Sequence, residues 1–451
     1  MIFASMTFLF VFLPIVLIGY FVLPMRNIFI FLASLYFYAW GEPSYVYLML
    51  FSICFNYIIG LCISDRKEVL VTGVFLNLLI LFVFKYEGFI VENINHLLDI
   101  NLPSMNLPLP IGISFFTFQA ISYLIDVYRK DVPSQKNPIN LGLYISLFPQ
   151  LIAGPIVRYT DIEKQINQRS ITWAQIDYGV KRFIEGLAKK VILANNFAII
   201  SAAGFASDNL STSFAWLGAI AYTLQIYYDF SGYSDMAIGL GRIFGFTFAE
   251  NFNYPYIAKT VSEFWRRWHI SLGSFFRDYV YFPLGGSRVS RGKLRRNLFI
   301  VWALTGLWHG AAWQFLAWGM LYFILILVEK ELKPYFNSKI FSLCYQIYTM
   351  FFVIIGWIIF AQESLTQAME YIIVMLGAGD FISLEFYRYL NNYYVLLIIG
   401  IIFAMPVAPM LKNKLKPVAE IISPVVYIAI FLSCVSYLVI GAHNPFIYFN
   451  F

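Results

Sequence analysis

Apolar runs close to the roughly 20 residues that cross a bilayer as a helix recur along the whole chain. They extend from Ile2 to Leu23, Tyr45 to Ile63, Val69 to Tyr86, Trp216 to Phe230, Leu343 to Phe360, Tyr394 to Met410 and Ile421 to Ile440. A water-soluble fold could not cover so much hydrocarbon: 60% of the residues are hydrophobic and 12% charged, where an ordinary soluble domain carries roughly 25% charged residues. With shorter runs, the pattern predicts an all-α polytopic membrane protein of about ten to twelve intramembrane segments. No repeat, low-complexity tract or long linker interrupts it, so residues 1–451 read as a single transmembrane domain. The first run has no preceding Lys or Arg and no small-residue cleavage site after it, and is expected to be a retained span.

The net charge of +6 points to topology rather than nucleic acid, because Lys and Arg gather in short loops where they hold a loop on the cytoplasmic side. GGSRVSRGKLRRN contains Arg288, Arg291, Lys293, Arg295 and Arg296 without an acid, and Lys412, Lys414 and Lys416 form a second basic loop. Both are expected inside. The stretches Glu87 to Leu107 and Gln362 to Glu385 carry acids without Lys or Arg and are expected as outer loops, together with both chain termini. The runs Pro108 to Tyr128 and Leu141 to Val157 cannot both be full spans if Arg129, Lys136, Lys181 and Lys189 stay inside, so one of them is expected to be re-entrant. Such backbone survives at membrane depth only when buried in protein or lining a wet cavity. The basic, partly apolar stretch from Tyr178 to Leu193 reads as an interfacial helix. Cys54, Cys62, Cys344 and Cys434 lie in or beside apolar runs without metal-ligand spacing and read as packing residues.

Polar side chains inside a membrane are costly and carry a functional prior. His309 lies in TGLWHGAAW, about 12 residues or ~18 Å along a helix from the basic loop. The segment Asn297 to Val328 is short for two spans of ~20 residues and a turn, so a pair of shortened helices would bury His309 and Trp308 at their apex. Gly306 and Gly310 would there admit a substrate or another backbone. Imidazole moves protons near neutral pH, although a buried histidine can also simply bond a neighbouring helix.

In SEFWRRWHISLGSFFRDYVYFPLGG, helical spacing puts Arg266 on one face with His269, Leu272 and Phe276, with Trp265 and Trp268 adjoining. Together with Arg267 this is equally an interfacial anchor or a site. In YYDFSGYSDMAIGLGRIFGF, Asp235 and Arg242 share a helix face and would neutralise one another. Gly241 and Gly245 there form a small-xxx-small pair for close helix packing. His96 and His443 have no local partners. HExxH, GxSxG and phosphate-loop patterns do not occur, and no metal site is expected.

These residues resemble the membrane-bound O-acyltransferase (MBOAT) family, most closely its alginate O-acetylation branch. The strings that carry the resemblance are YTLQIYYDFSGYSDMAIGLGRIFGF, ENFNYPYI, SEFWRRWHISLGSFFRDYVYFPLGGSR and TGLWHGAAW. Weaker similarity runs through MIFASMTFLFVFLPI, PIGISFFTFQAISYLIDVYR, LFPQLIAGPIVRY and PFIYFNF, so nearly the whole chain is covered. The resemblance implies helices ringed around a central funnel in a bacterial cytoplasmic membrane, with His309 as the essential intramembrane histidine and His269 as the second functional polar position. Trp265, Arg266, Arg267, Trp308, Asp235, Arg242 and Asn253 are then expected along the donor or substrate path.

The implied reaction passes an acyl group, acetyl in the first place, from a cytoplasmic thioester such as acetyl-CoA across the bilayer for O-acetylation of an extracytoplasmic polysaccharide. His309 would be general base or brief acyl carrier. A separate extracytoplasmic acyltransferase of the SGNH serine hydrolase type is implied as partner. Two alternatives remain: a D-alanyl-transferring relative of teichoic acid modification, which resembles the chain less around SGYSDMAIGLG and LGGSR, and a polysaccharide or solute conduit without covalent chemistry, for which paired broken helices in two halves are missing.

Overall fold

In a computed structural model of the chain, residues 1–105, 107–332, 339–414, 416–441 and 446–447 are described; they form helices and connecting segments, with no strand among them. They divide into two compact units, Met1–Phe183 with Tyr233–Glu250, and Ile184–Gly232 with Asn251–Phe451.

The first unit contains α1 (Leu13–Val22), which continues a π-helical turn at Phe8–Phe12, then α2 (Arg26–Gly41), α3 (Val46–Cys62), α4 (Lys67–Lys85), α5 (Glu87–Leu98), α6 (Ile113–Tyr128), α7 (Pro138–Ser146), α8 (Phe148–Leu151) and α9 (Tyr159–Asn167). The apolar side chains Val71, Phe75, Leu78, Leu79 and Phe82 of α4 are exposed, as lipid-facing residues must be. Its polar Asn77 is buried and exchanges amide hydrogen bonds with Asn56 of α3, at 2.8 and 3.1 Å. Each amide thus finds in protein the partner that lipid cannot supply.

Of the two candidate re-entrant runs, Pro108 to Tyr128 contains the continuous α6 from Ile113 onward. Leu141 to Val157 breaks: α7 has nine residues and α8 four, too short to cross a bilayer, and Pro149 opens α8. The stretch from Glu87 to Leu107, expected as a loop, begins with the twelve-residue α5, and His96 lies exposed near its end.

Two helices contribute residues to both units, α10 (Trp173–Ala188) and the 32-residue α12 (Thr212–Ile243), with α11 (Asn195–Phe205) between them. In the first unit Asp235 pairs with Arg182 of α10 at 2.6 Å, and not with Arg242 as expected; Arg182 also holds Glu250. Arg242 donates instead to Thr247 and lies over the Tyr178 ring. Burial opposes the charge of Arg182, but the two carboxylates outweigh it and raise the guanidinium above its ordinary value. The helix packing also differs from expectation. At Gly239 an added Cβ would meet the Gly179 carbonyl at 2.5 Å, whereas Gly245 has φ +84° and ends the helix. Gly245 therefore serves the turn and not a helix crossing.

The second unit continues with α13 (Val261–Arg267), α14 (Ile270–Phe276), α15 (Arg291–His309), α16 (Trp313–Leu332), α17 (Lys339–Ala361), α18 (Leu365–Ile373), α19 (Leu384–Phe403), α20 (Val407–Lys414) and α21 (Lys416–Val439). Against the ten to twelve intramembrane segments expected, four described helices are long and apolar enough to cross: Lys67–Lys85, Phe341–Ala361, Leu384–Phe403 and Ile421–Val439; four shorter apolar helices accompany them. The run Gln362 to Glu385 is not a loop. Its apolar residues form α18 and pack Tyr371, Ile372 and Met375 against Ala215, Ala219, Ile355 and Ile358.

Candidate active site

His309 is the last residue of α15, 4% exposed, and its helix packs against α16. The contact is backbone on backbone. A Cβ at Gly306 would lie 2.4 Å from the Phe315 carbonyl, and one at Gly319 2.4 Å from that of Trp302. Gly310 is closed off by the Phe315 ring, so both glycines flanking His309 serve the fit of the helices. The helices are also longer than expected. Arg291 to Arg296 and Glu329 to Leu332 are helical, because Arg, Lys and Glu are good helix formers whose stems can reach along the helix to water.

Three aromatic rings hold the His309 imidazole edge to face, Trp308 at 4.9 Å, Trp318 at 5.0 Å and Phe360 at 5.1 Å between centroids. Trp308 in turn contacts His269 at 5.6 Å. One buried indole therefore touches both imidazoles.

His269 does not continue a helix from Arg266. The backbone breaks at Trp268 and His269, where φ of His269 is +44°, and two seven-residue helices flank the break. Consequently Arg266 is exposed while His269 is 2% exposed, and the shared face of the two residues does not form. His269 packs edge to face on Phe230 at 4.7 Å, and its Nδ1 lies 3.1 Å from Oδ1 of the fully buried Asn251. Burial pushes its pKa down from the usual 6.5 to about 3, so the imidazole is neutral at physiological pH.

Asn251, not Asn253, is the residue of ENFNYPYI that meets the histidine. Asn253 clasps Arg267 through its backbone, donating N–H to the Arg267 carbonyl and accepting from Nη1. Arg267 is held further by Glu263 at 2.9 Å. Although burial raises the Glu263 carboxyl, the Lys259 N–H and Arg267 together bring it below the ordinary value. Trp265 packs on Trp302, Trp318 and Tyr322, extending the same aromatic wall. Asp235 and Arg242 belong to the first unit, and His443 lies outside the described residues.

Sequence reasoning missed Asn251, Phe230, Trp318 and Phe360. It also missed the buried pair Lys190–Asp229 at 2.5 Å, in which Asp229 additionally accepts the Ile447 N–H. Only the pair had a usable signal, an acid and a base within apolar runs.

The family model for membrane-bound O-acyltransferases matches residues 128–369. The chain is 39% identical to a probable alginate O-acetylase AlgI of Azotobacter vinelandii, over 93% of this chain and 89% of that one. It is 42% identical to the AlgI of Pseudomonas aeruginosa, over 84% and 75%. A peptidoglycan O-acetyltransferase of Helicobacter pylori is 35% identical, over 84% and 80%. A histidine-bearing aromatic core in an all-helical membrane protein is thus accompanied by family-wide similarity, and the chain belongs to the membrane-bound O-acyltransferase family as an O-acyltransferase.

Proposed function

We propose that this protein passes an acetyl group from a cytoplasmic thioester, acetyl-CoA in the first place, across the cytoplasmic membrane for O-acetylation of an extracytoplasmic polysaccharide. The observation that carries the reading is the pair of buried imidazoles, His269 and His309, both packed on Trp308. The names of the relatives, alginate O-acetylases and a peptidoglycan O-acetyltransferase, support a polysaccharide as the final acceptor.

In this reading His309 removes the proton of the accepting hydroxyl as its oxygen attacks the thioester carbonyl. The C–S bond breaks, the thiolate takes up the proton that His309 removed, and the acetyl group, now an ester on that hydroxyl, is passed on to the polysaccharide by a partner of the SGNH type. Exposed Arg266 steers the anionic donor, and Arg291 to Arg296 meet its phosphates on the cytoplasmic side. Arg267, already engaged by Glu263 and Asn253, holds the segment in place.

His309→Ala is expected to abolish transfer of labelled acetyl from acetyl-CoA by the purified protein while leaving its abundance in the membrane unchanged. Transfer retained by that variant would sink the reading. A conduit, by contrast, would leave the thioester uncleaved in the unaltered protein.

A further inference from the structure

We infer that Asn251 is a positioning residue that fixes His269 as the neutral tautomer protonated on Nδ1, which leaves its lone pair on Nε2. The inference deepens the proposed acyl transfer and rests on it for its catalytic meaning.

The argument starts from an atom whose identity is settled by its neighbours. Asn251 Oδ1 lies 3.1 Å from the backbone nitrogen of Ser271 and 2.9 Å from its Oγ. A peptide N–H can only donate, so the Asn251 atom facing it is the carbonyl oxygen and not the amide nitrogen. The Asn251 main-chain carbonyl also accepts from Ile270 N–H at 3.0 Å, which pins the residue at both its backbone and its side chain. The same Oδ1 is 3.1 Å from His269 Nδ1. Since that oxygen only accepts, Nδ1 must carry the proton, and a neutral imidazole with its proton on Nδ1 has its lone pair on Nε2.

Phe230 of α12 and Trp308 of α15, whose rings pack on His269, carry no charge, and Asp229, adjacent to Phe230, pairs with Lys190. At metal sites, outer partners that fix a histidine tautomer in this way are worth about 10–100-fold in metal affinity or activity, which sets the scale here.

Two measurements test the inference. In protein labelled with ¹⁵N-histidine, with His269→Gln used for assignment, His269 is expected as the Nδ1–H tautomer, and Asn251→Leu is expected to give a mixture. In the acetyl transfer assay, Asn251→Leu is expected to lower kcat about 10–100-fold with little change in KM for acetyl-CoA. Asn251→Asp keeps the accepting oxygen and adds a charge that favours the imidazolium. It is therefore expected to recover much of the activity at high pH and to lose it at a higher pH than the unaltered enzyme does.

Equal losses in the Leu and Asp variants, with the pH profile of the unaltered enzyme, would overturn the inference and leave Asn251 a packing residue. A mixed tautomer in an active unaltered enzyme would overturn it as well. The Nδ1–H tautomer in a protein that transfers no acetyl would instead overturn the proposed reaction and leave the tautomer assignment standing.

Discussion

His269 occupies a left-handed backbone position, φ +44°, that a residue with a Cβ enters at a cost of about 1–2 kcal/mol. The cost is met because the amides after it, those of Ile270 and Ser271, are both taken by Asn251. His269→Gly should therefore leave a more stable protein than His269→Ala, by about 1 kcal/mol, read as a higher unfolding temperature in detergent. The reverse order would show that the turn does not survive loss of the ring. Burial of the neutral imidazole also makes stability depend on pH. Between about 3, where the folded ring titrates, and about 6.5, where a free one does, the unfolded chain takes up a proton that the folded chain refuses, so stability falls as pH drops through that window. The sequence marked His269 but not its conformation. Neither Gly nor Pro punctuates WRRWHIS, and the break there comes from Asn251, 18 residues earlier, a contact that helical periodicity does not contain.

At the scale of elements, α15 and α16 present His309 because two glycines let their backbones touch. Gly306→Leu would push a branched side chain against the Phe315 carbonyl, which a Cβ alone would already approach to 2.4 Å. Separation of the helices would shift His309 away from Trp318 and Phe360. The expected result is a loss of acetyl transfer of at least 10-fold together with a lower unfolding temperature; full activity would mean that the hairpin does not set the position of His309. The existence of this hairpin was readable from TGLWHGAAW between apolar runs. Its extent was not, because charged residues at Arg291 to Arg296 and Glu329 to Glu331 look like loop in a hydropathy reading and are helix in the fold. The charge partners were similarly hidden. Asp235 and Arg242 fall on one face of α12, but Arg182 on α10 reaches the carboxylate first, and spacing within one helix says nothing about which neighbour lies alongside.

For the molecule as a whole, composition and periodicity gave an all-helical membrane protein correctly, while the number of crossings depends on how buried polar groups, short helices and Pro149 interrupt the apolar runs. The charge pattern carries a further expectation about sides. In a background lacking Cys54, Cys62, Cys344 and Cys434, Ser290→Cys should react with a membrane-impermeant maleimide only after the cytoplasmic side is opened, and Asp380→Cys should react in intact cells. The opposite pattern, Ser290→Cys labelled in intact cells and Asp380→Cys only after opening, would reverse the proposed direction of the relay. The reciprocal bond between Asn56 and Asn77 bears on how such a chain is made. Two amides that satisfy each other across consecutive helices allow α3 and α4 to leave the ribosome and enter lipid as one hairpin, each helix shielding the other's polar group from the hydrocarbon. A substitution at either position would then be felt first during biogenesis, as a slower or incomplete insertion, before any finished protein had a stability to measure.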